Sequence, residues 1–349
     1  MEKFNETLEA RNLKPSSIST YNSNLKKLMK DLKVDFTGAE TIHQNTTKIL
    51  TLLDTKKLSV KKNYLAVILI ILSPLKKYPT PQNKDLYNFF NNMMKELNGK
   101  YLKNLQEKKL SSTDQENFIT MSELKEQRDI VIDRTIRKIR HSSVITNADF
   151  MLLQDAFILS LYSYFAPRRL IFASAKKIAL KDYKKLSESE LSNNVYLVHT
   201  AQYIPKIMHY GRNATKSRTP EDVIVPFEHP THKIITKLFL KFTKVSNHLL
   251  LQTDGETKMN ENGLSKRLSK IFKMIFNKKI SVVLLRKLYV SQTITSSISP
   301  AEQERIAEQM NHTTATQVGV YKKELVNEPT EVIELDDDVK PKYKFKVKK

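Results

Sequence analysis

Apolar residues recur three and four positions apart through most of this 349-residue chain, and this spacing most constrains its fold. The spacing is that of one face of an α-helix. It predicts helices over about 18–32, 59–72, 85–97, 122–137 and 148–165, and over most of 231–325. Strand-like segments at 194–200, 203–210 and 222–227 predict strands, the last two joined by a basic turn. The sequence therefore predicts a mainly α fold with a small antiparallel β-sheet.

The distribution of polar and charged residues predicts four parts. Residues 1–99 should form a small helical domain, and the polar stretch 100–121 a linker. Residues 122–328 should form a larger helical domain that carries the sheet, and 329–349 a charged tail. A sheet this small is better suited to presenting the basic turn at 211–218 than to forming the core.

The net charge indicates the kind of partner. The chain has 59 Lys and Arg against 37 Asp and Glu, a formal charge of +22. Such an excess favours a polyanion, with double-stranded DNA as the first candidate and an acidic membrane surface as the alternative. The longest apolar run, Tyr64–Leu72, is far shorter than the ~20 residues of a membrane helix. The N-terminus does not resemble a signal peptide, so we expect a soluble intracellular protein, in a compartment that the sequence does not specify.

Composition excludes several classes of site. The chain has no cysteine, which excludes disulfides, thiolate metal sites and a thiol nucleophile. Its six glycines lack the spacing of a phosphate-binding glycine loop. The pair His229 and His232 could supply two metal ligands, but Pro230 opposes a regular helix there and no acid cluster completes the shell. We therefore expect no cofactor and no metal.

Four separated segments carry residues suited to phosphodiester chemistry. Arg168 and Arg169 follow an apolar helix, Arg286 interrupts another, and His312 precedes Tyr321 by nine residues. Each has an ordinary structural explanation, such as a solvated helix end for the arginine pair. Together they supply a nucleophile, guanidinium groups for the non-bridging oxygens and a further hydrogen-bonding group, which is the set that metal-free cleavage of DNA requires.

The order of these residues resembles that of the tyrosine recombinase (phage-type integrase) family. The shared features are an arginine, a lysine on a β-turn, Leu-Arg within a helix, and a histidine followed nine residues later by a tyrosine. The short motifs that contain these residues are similar to those of recombinases from eukaryotic viruses, virophages and mobile elements. The resemblance covers about 122–328. It implies a two-domain DNA clamp, made of a helical core-binding domain and an α+β catalytic domain, that works as a tetramer on DNA.

The resemblance also implies a role for each residue. Tyr321 would be the nucleophile that forms a 3′-phosphotyrosyl bond and frees a 5′-hydroxyl. Arg168 and Arg286 would hold the scissile phosphate, His312 would hydrogen-bond it, and Lys216 would protonate the leaving oxygen. Catalysis of this kind needs neither metal nor ATP, because the covalent bond conserves the energy.

Two positions depart from the family pattern, and two assignments have alternatives. Val283 stands where many members have a histidine, and Ile171 where a carboxylate is common, so the phosphate should have one donor fewer. Arg169 is the alternative register for Arg168. Lys206, within a strand, is a weaker substitute for Lys216.

Three functions are compatible with this sequence. The first is site-specific recombination that integrates or excises a viral or mobile genome. The second is a type IB topoisomerase or telomere resolvase with the same chemistry. The third is a basic DNA-binding protein without catalysis, which predicts salt-sensitive binding only.

Overall fold

The computed structural model describes residues 2–13, 15–36, 38–73, 79–106, 108–142, 144–214, 221–243 and 246–324. The chain divides into two compact units, Met1–Glu107 and Lys108–Lys349. Within the described ranges, no helix combines the length and the apolar character needed to cross a bilayer.

In the described part of the first unit, six α-helices form a bundle. They are α1 (Glu2–Ala10), α2 (Pro15–Leu32), α3 (Ala39–Gln44), α4 (Thr46–Thr55), α5 (Leu58–Leu72) and α6 (Lys84–Gln106). Helix α5 is apolar on nearly every side and packs against both α2 and α6, with Leu65, Val67 and Ile68 fully buried. Burial of such side chains is the main force that holds a small bundle together.

Helix α6 is longer than the sequence predicted. The periodicity predicts a helix over about 85–97, yet the helix continues to Gln106, so residues 100–106 of the predicted linker are helical. Gly99 is tolerated inside a helix at a cost of about 1 kcal/mol. On the far side of the glycine, the Lys62 ammonium lies 3.9 Å from the centroid of the Tyr101 ring, which ties the extension to α5.

The second unit is mainly helical. Its helices are α7 (Ser112–Glu116), α8 (Met121–Ile139), α9 (Asn147–Tyr164), α10 (Leu180–Tyr183), α11 (Glu188–Asn193), α12 (Pro230–Phe242), α13 (Glu261–Phe276), α14 (Val282–Thr293), α15 (Pro300–Gln309) and α16 (Thr314–Thr316). Helix α9 lies at the centre, where Phe157 stacks on Phe239 of α12 with ring centroids 4.3 Å apart. Its start is fixed by a capping box, in which Thr146 and Asp149 bind each other's backbone N–H groups.

Over the ranges that the structure describes, the sheet has four strands in the order β1-β2-β3-β4. They are β1 (Lys176–Ala179), β2 (Val195–His199), β3 (Pro205–Tyr210) and β4 (Val223–Pro226). The three strands predicted from sequence are present and antiparallel, with Val195 opposite Tyr210 and Tyr210 opposite Val223. The prediction of a mainly α fold with a small sheet is therefore confirmed. The sheet is mixed rather than wholly antiparallel, because β1 pairs parallel to β2 after a crossover through α10 and α11.

Residues 108–121, which the sequence analysis placed in the linker, contact the rest of the second unit. Asp114 of α7 accepts from the Lys287 ammonium at 2.6 Å. Gln292 accepts from the backbone N–H of Met121 at 2.7 Å. The backbone N–H of Glu324 donates to the carbonyl of Lys108 at 2.7 Å. These contacts attach the segment to α14 and to the chain that follows Tyr321.

Candidate active site

Arg168 lies just after the C-terminal end of α9, and its side chain is buried. The helix ends before Ala166-Pro167, because the residue before a proline disfavours the helical conformation. The Arg168 guanidinium carbon lies 3.7 Å from the centroid of the Tyr210 ring on β3, and Nη2 donates to the Glu308 carbonyl at 3.1 Å. The side chain is buried, and desolvation lowers its pKa to about 10. This arginine therefore joins the sheet to the end of α15.

Arg286 is the largest fully buried side chain of the described protein. Helix α14 begins at a Ser281 cap and directs Arg286 inward, where Nη1 donates to the carbonyls of Pro167 at 2.7 Å and of Met310 at 3.0 Å. Burial lowers the pKa of Arg286, and the nearby Tyr321 hydroxyl partly opposes this. One guanidinium thus holds together the segment after α9 and the segment after α15.

His312 lies just beyond α15, in a tight turn. Asn311 has a left-handed backbone (φ 55°), which lets the chain reverse, and the His312 N–H donates to the Ala307 carbonyl at 3.1 Å. Nδ1 lies 3.1 Å from the Thr313 carbonyl. Since a carbonyl can only accept, Nδ1 carries the proton and Nε2 presents a lone pair. Desolvation and the charge of Arg286 lower the pKa of His312 to about 4, so the ring is neutral at physiological pH.

Tyr321 ends a π-helical turn over Gln317–Tyr321, in which the Lys322 N–H donates to the Gln317 carbonyl at 2.9 Å. Single π turns recur at functional sites. The Tyr321 ring stacks on His312 at 5.2 Å between centroids, and the Arg286 guanidinium carbon lies 4.6 Å from its centroid. Burial raises the pKa of Tyr321, but the positive charges of Arg286 and Arg169 lower it more, so the net pKa lies below its usual value.

The site holds buried polar nitrogens that have no partner among the described residues. They are Nε of Arg168, Nε and Nη2 of Arg286, and Nε2 of His312. Neither arginine takes part in an ion pair of the described residues. A buried donor without an acceptor costs about 1–3 kcal/mol, and more when it is charged. A bound anion would supply acceptors for the three arginine nitrogens.

The structure brings together four of the five predicted site residues, which are Arg168, Arg286, His312 and Tyr321. The fifth, Lys216, lies outside the described residues, and its substitute Lys206 is exposed on β3. At the two departures from the family pattern, Val283 is 55% exposed and Ile171 is buried.

Sequence reasoning missed two further features of the site. The first is Arg169, which the sequence analysis considered only as an alternative to Arg168. Its positive charge, together with that of Arg286, lowers the pKa of the Tyr321 hydroxyl. Gln317, which no sequence signal marked, is fully buried at the start of the π turn.

His229 and His232, the pair considered as metal ligands, both pack against aromatic rings. His232 is buried against Tyr164, Phe165 and Phe227, with ring centroids 4.5–4.9 Å away. His229 lies against the Tyr164 ring at 4.5 Å. Among the described residues, no group of three or more acidic or histidine side chains has the arrangement of a metal site.

Comparison with known proteins gives only a distant likeness. No family model and no curated protein sequence matches the chain. The crystal structure of XerA recombinase is similar over 93% of this chain and 93% of that one, with a TM-score of 0.36 and 10% identity.

Proposed function

We propose that this protein is a tyrosine recombinase that cuts and rejoins duplex DNA through Tyr321. The proposal is supported by the convergence of Arg168, Arg286, His312 and Tyr321 from four separated segments, and above all by the buried guanidinium donors that lack an acceptor. A phosphodiester, whose single negative charge is shared by two non-bridging oxygens, matches such donors in charge and geometry.

In the proposed reaction, the Tyr321 oxygen attacks the scissile phosphorus. A P–O bond to Tyr321 forms and the bond to the 5′-oxygen breaks, which leaves a 3′-phosphotyrosyl link. The charge that develops on the phosphoryl oxygens is stabilised by Arg168 and Arg286, a contribution worth about 10²–10³ in rate for a single donor.

Two protons must move. The Tyr321 proton passes to Nε2 of His312, whose lone pair is free and whose ring stacks on Tyr321. The protonated imidazole can then donate to the phosphate. Lys216, assigned from the resemblance alone, protonates the departing 5′-oxygen. Attack by a free 5′-hydroxyl on the phosphotyrosine reverses these transfers and rejoins the strand.

The first unit is proposed as the core-binding domain (residues 1–99) and residues 122–328 as the catalytic domain of a DNA clamp. The exposed lysines on α2, which include Lys26, Lys27 and Lys30, are suited to phosphate contacts. Assembly as a tetramer on DNA, and integration or excision of a viral or mobile genome, complete the proposal.

The test is covalent capture. The full chain is incubated in EDTA with a pool of nicked duplexes that carry randomised sequence, and adducts are detected on denaturing gels and mapped by peptide analysis. We expect an adduct on Tyr321 that Tyr321→Phe abolishes and that Tyr289→Phe, a change to a neighbouring tyrosine, retains. No adduct with the native chain, or an adduct with Tyr321→Phe, would refute the proposal. Relaxation of any supercoiled plasmid would favour a topoisomerase instead.

A further inference from the structure

A cavity of the second unit lies beside β1, at the edge of the sheet opposite β4. It has two adjoining parts of about 460 and 690 Å³, which share Ala179, His199 and Tyr203 in their walls. Volumes of this size are typical of small-molecule sites. Arg168 contacts Tyr210 of β3, two strands from β1, so roughly 10 Å of sheet separate this cavity from the candidate active site.

Lys177 of β1 brings a buried positive charge to the wall of this cavity. The side chain is 9% exposed, and its ammonium donates to the Thr243 carbonyl just after α12. Among the described residues, Lys177 takes part in no ion pair. Burial of an ammonium without a counter-charge is costly, and desolvation lowers the pKa of Lys177 to about 8. An anion in the cavity would supply the counter-charge.

The other charged residues in the cavity wall are also mostly basic. Lys176 lines the same part of the cavity as Lys177, and Lys181 and Lys184 line the adjoining part. The one carboxylate among the described lining residues is that of Asp182, which lies 3.7 Å from the Lys185 ammonium. The potential in the cavity is therefore positive, which favours an anionic ligand.

His199 and Tyr203 give the cavity an aromatic wall. Their ring centroids are 5.4 Å apart, with 31° between the ring planes. Nδ1 of His199 lies 2.8 Å from the Thr200 carbonyl, which fixes the orientation of the imidazole. Tyr203 has a left-handed backbone (φ 60°), which is rare for a bulky side chain and recurs at functional sites. An aromatic ring thus stands where glycine would be less strained, which indicates a use for the ring.

We propose that this cavity binds a nucleotide, with its base against the rings of His199 and Tyr203 and its phosphate on the Lys177 ammonium. The two rings and the lysine line one cavity, so a single ligand can contact both. Bases of any identity can stack on aromatic side chains, because each has a π face. A phosphate supplies the negative charge that the buried ammonium lacks. The inference goes beyond the proposed function and does not depend on Tyr321.

The test measures binding of AMP, adenosine and inorganic phosphate to the full chain by isothermal titration calorimetry at constant ionic strength. We expect AMP to bind at least tenfold more tightly than either of the others, since only AMP carries both the base and the phosphate. Equal affinities for AMP and inorganic phosphate would mean that no base is bound, and equal affinities for AMP and adenosine that no phosphate is bound. Either result would overturn the inference.

Two variants remove the two halves of the site, and each has a matched control. Lys177→Met should weaken AMP binding about tenfold, whereas Lys323→Met, at another buried lysine, should not. Tyr203→Gly should weaken it by a similar factor, because base stacking is lost. Its control is Asn277→Gly, which replaces another left-handed residue (φ 54°) and should bind AMP as the native chain does. Native affinity in both Lys177→Met and Tyr203→Gly would contradict the proposed site.

Cross-linking of the native chain locates the nucleotide without any variant. Photoactivated 8-azido-AMP should label the segment 196–203, and an excess of AMP should suppress the labelling. Labelling near Tyr321 instead, with AMP binding that is lost in Arg286→Met and kept in Lys177→Met, would place the nucleotide in the candidate active site and refute the inference. A 5′-phosphorylated dinucleotide that competes as well as AMP would identify a strand end as a source of the ligand, and one that competes poorly a free nucleotide.

Discussion

The guanidinium carbon of Arg286 lies 4.6 Å from the centroid of the Tyr321 ring, while the same group donates to the carbonyls of Pro167 and Met310. These contacts join α14 to the ends of α9 and α15. They also leave Nε and Nη2 of Arg286 without a partner among the described residues. The arrangement is held by backbone carbonyls, so an anion can bind without displacing an internal carboxylate.

Binding of a small anion should therefore stabilise the protein. We expect inorganic phosphate to raise the melting temperature more than chloride does at equal ionic strength. At about 100 times the dissociation constant the gain is about 2.7 kcal/mol. For a unit of this size, that corresponds to a rise of roughly 5–10 °C. Differential scanning calorimetry checks the result.

The matched variants for this experiment are Arg286→Met and Arg137→Met. The first removes the buried guanidinium and should abolish the phosphate-specific rise, and the second removes an exposed one and should preserve it. An equal rise with chloride, or a rise that survives Arg286→Met, would show that phosphate does not bind where we place it.

Two fully buried glutamines should respond in opposite directions to replacement by methionine. Both amide atoms of Gln317 lack a partner among the described residues. In Gln154, the amide donates to the Leu251 carbonyl and accepts from the Leu251 N–H, both at 2.9 Å. Gln317→Met removes an unsatisfied polar group, and we expect a gain of about 1–3 kcal/mol in unfolding free energy. Gln154→Met leaves two buried backbone groups unpaired and should cost about 2–5 kcal/mol.

Urea unfolding of the full chain measures both changes. Because each variant makes the same chemical substitution at a fully buried position, the sign of the difference reports only whether the amide has partners. Destabilisation by Gln317→Met similar to that by Gln154→Met would mean that the Gln317 amide is satisfied in solution.

Gly211 lies where a side chain cannot fit. A Cβ atom there would lie 2.3 Å from the Leu191 carbonyl oxygen and 2.5 Å from that of Ser192. Gly211→Ala must therefore displace the base of the β3–β4 connection from α11, at a cost of about 1–3 kcal/mol. In the proposed mechanism the general acid Lys216 follows Gly211 by five residues in the sequence, so we also expect slower adduct formation.

Gly99→Ala is the control for Gly211→Ala. A Cβ atom at Gly99 would meet nothing within 4 Å, and in a helix the alanine should gain about 0.5–1 kcal/mol. Thermal unfolding and adduct yield are measured for both variants. Equal stability of the two would contradict the close approach at Gly211.

The helices and strands that were predicted from the sequence are those that depend on a local residue pattern. The apolar period marks α9, and strand-like segments mark the three antiparallel strands. Strand β1 spans only Lys176–Ala179, and its pairing with β2 depends on a crossover that sequence spacing does not specify. The hydrogen bond from the Tyr162 hydroxyl to the Arg169 carbonyl was likewise beyond prediction, because the sequence does not specify the path of the backbone after α9 ends.

The buried ring of His232 should make the protein sensitive to mild acid. Its pKa is lowered from 6.5 to about 3, by desolvation first and then by the neighbouring charges of His229 and Arg128. Between these values the unfolded chain binds a proton that the folded chain does not, so stability falls as the pH drops below about 6.5. From pH 7 to pH 5 this one group should cost about 2 kcal/mol, at about 1.4 kcal/mol per pH unit.

His232→Phe should remove this loss, because the new ring keeps the packing against Tyr164 and Phe227 and cannot be protonated. Unfolding free energies of the native chain and the variant are compared at pH 7 and pH 5. His141→Gln, a change at an exposed histidine, is the control and should leave the difference between the two pH values as it is in the native chain. If the native chain and His232→Phe lose equal stability on acidification, His232 is protonated within the fold. Direct titration of its ring by NMR checks this, and a ring that stays neutral in the fold down to about pH 4 is the outcome that the packing requires.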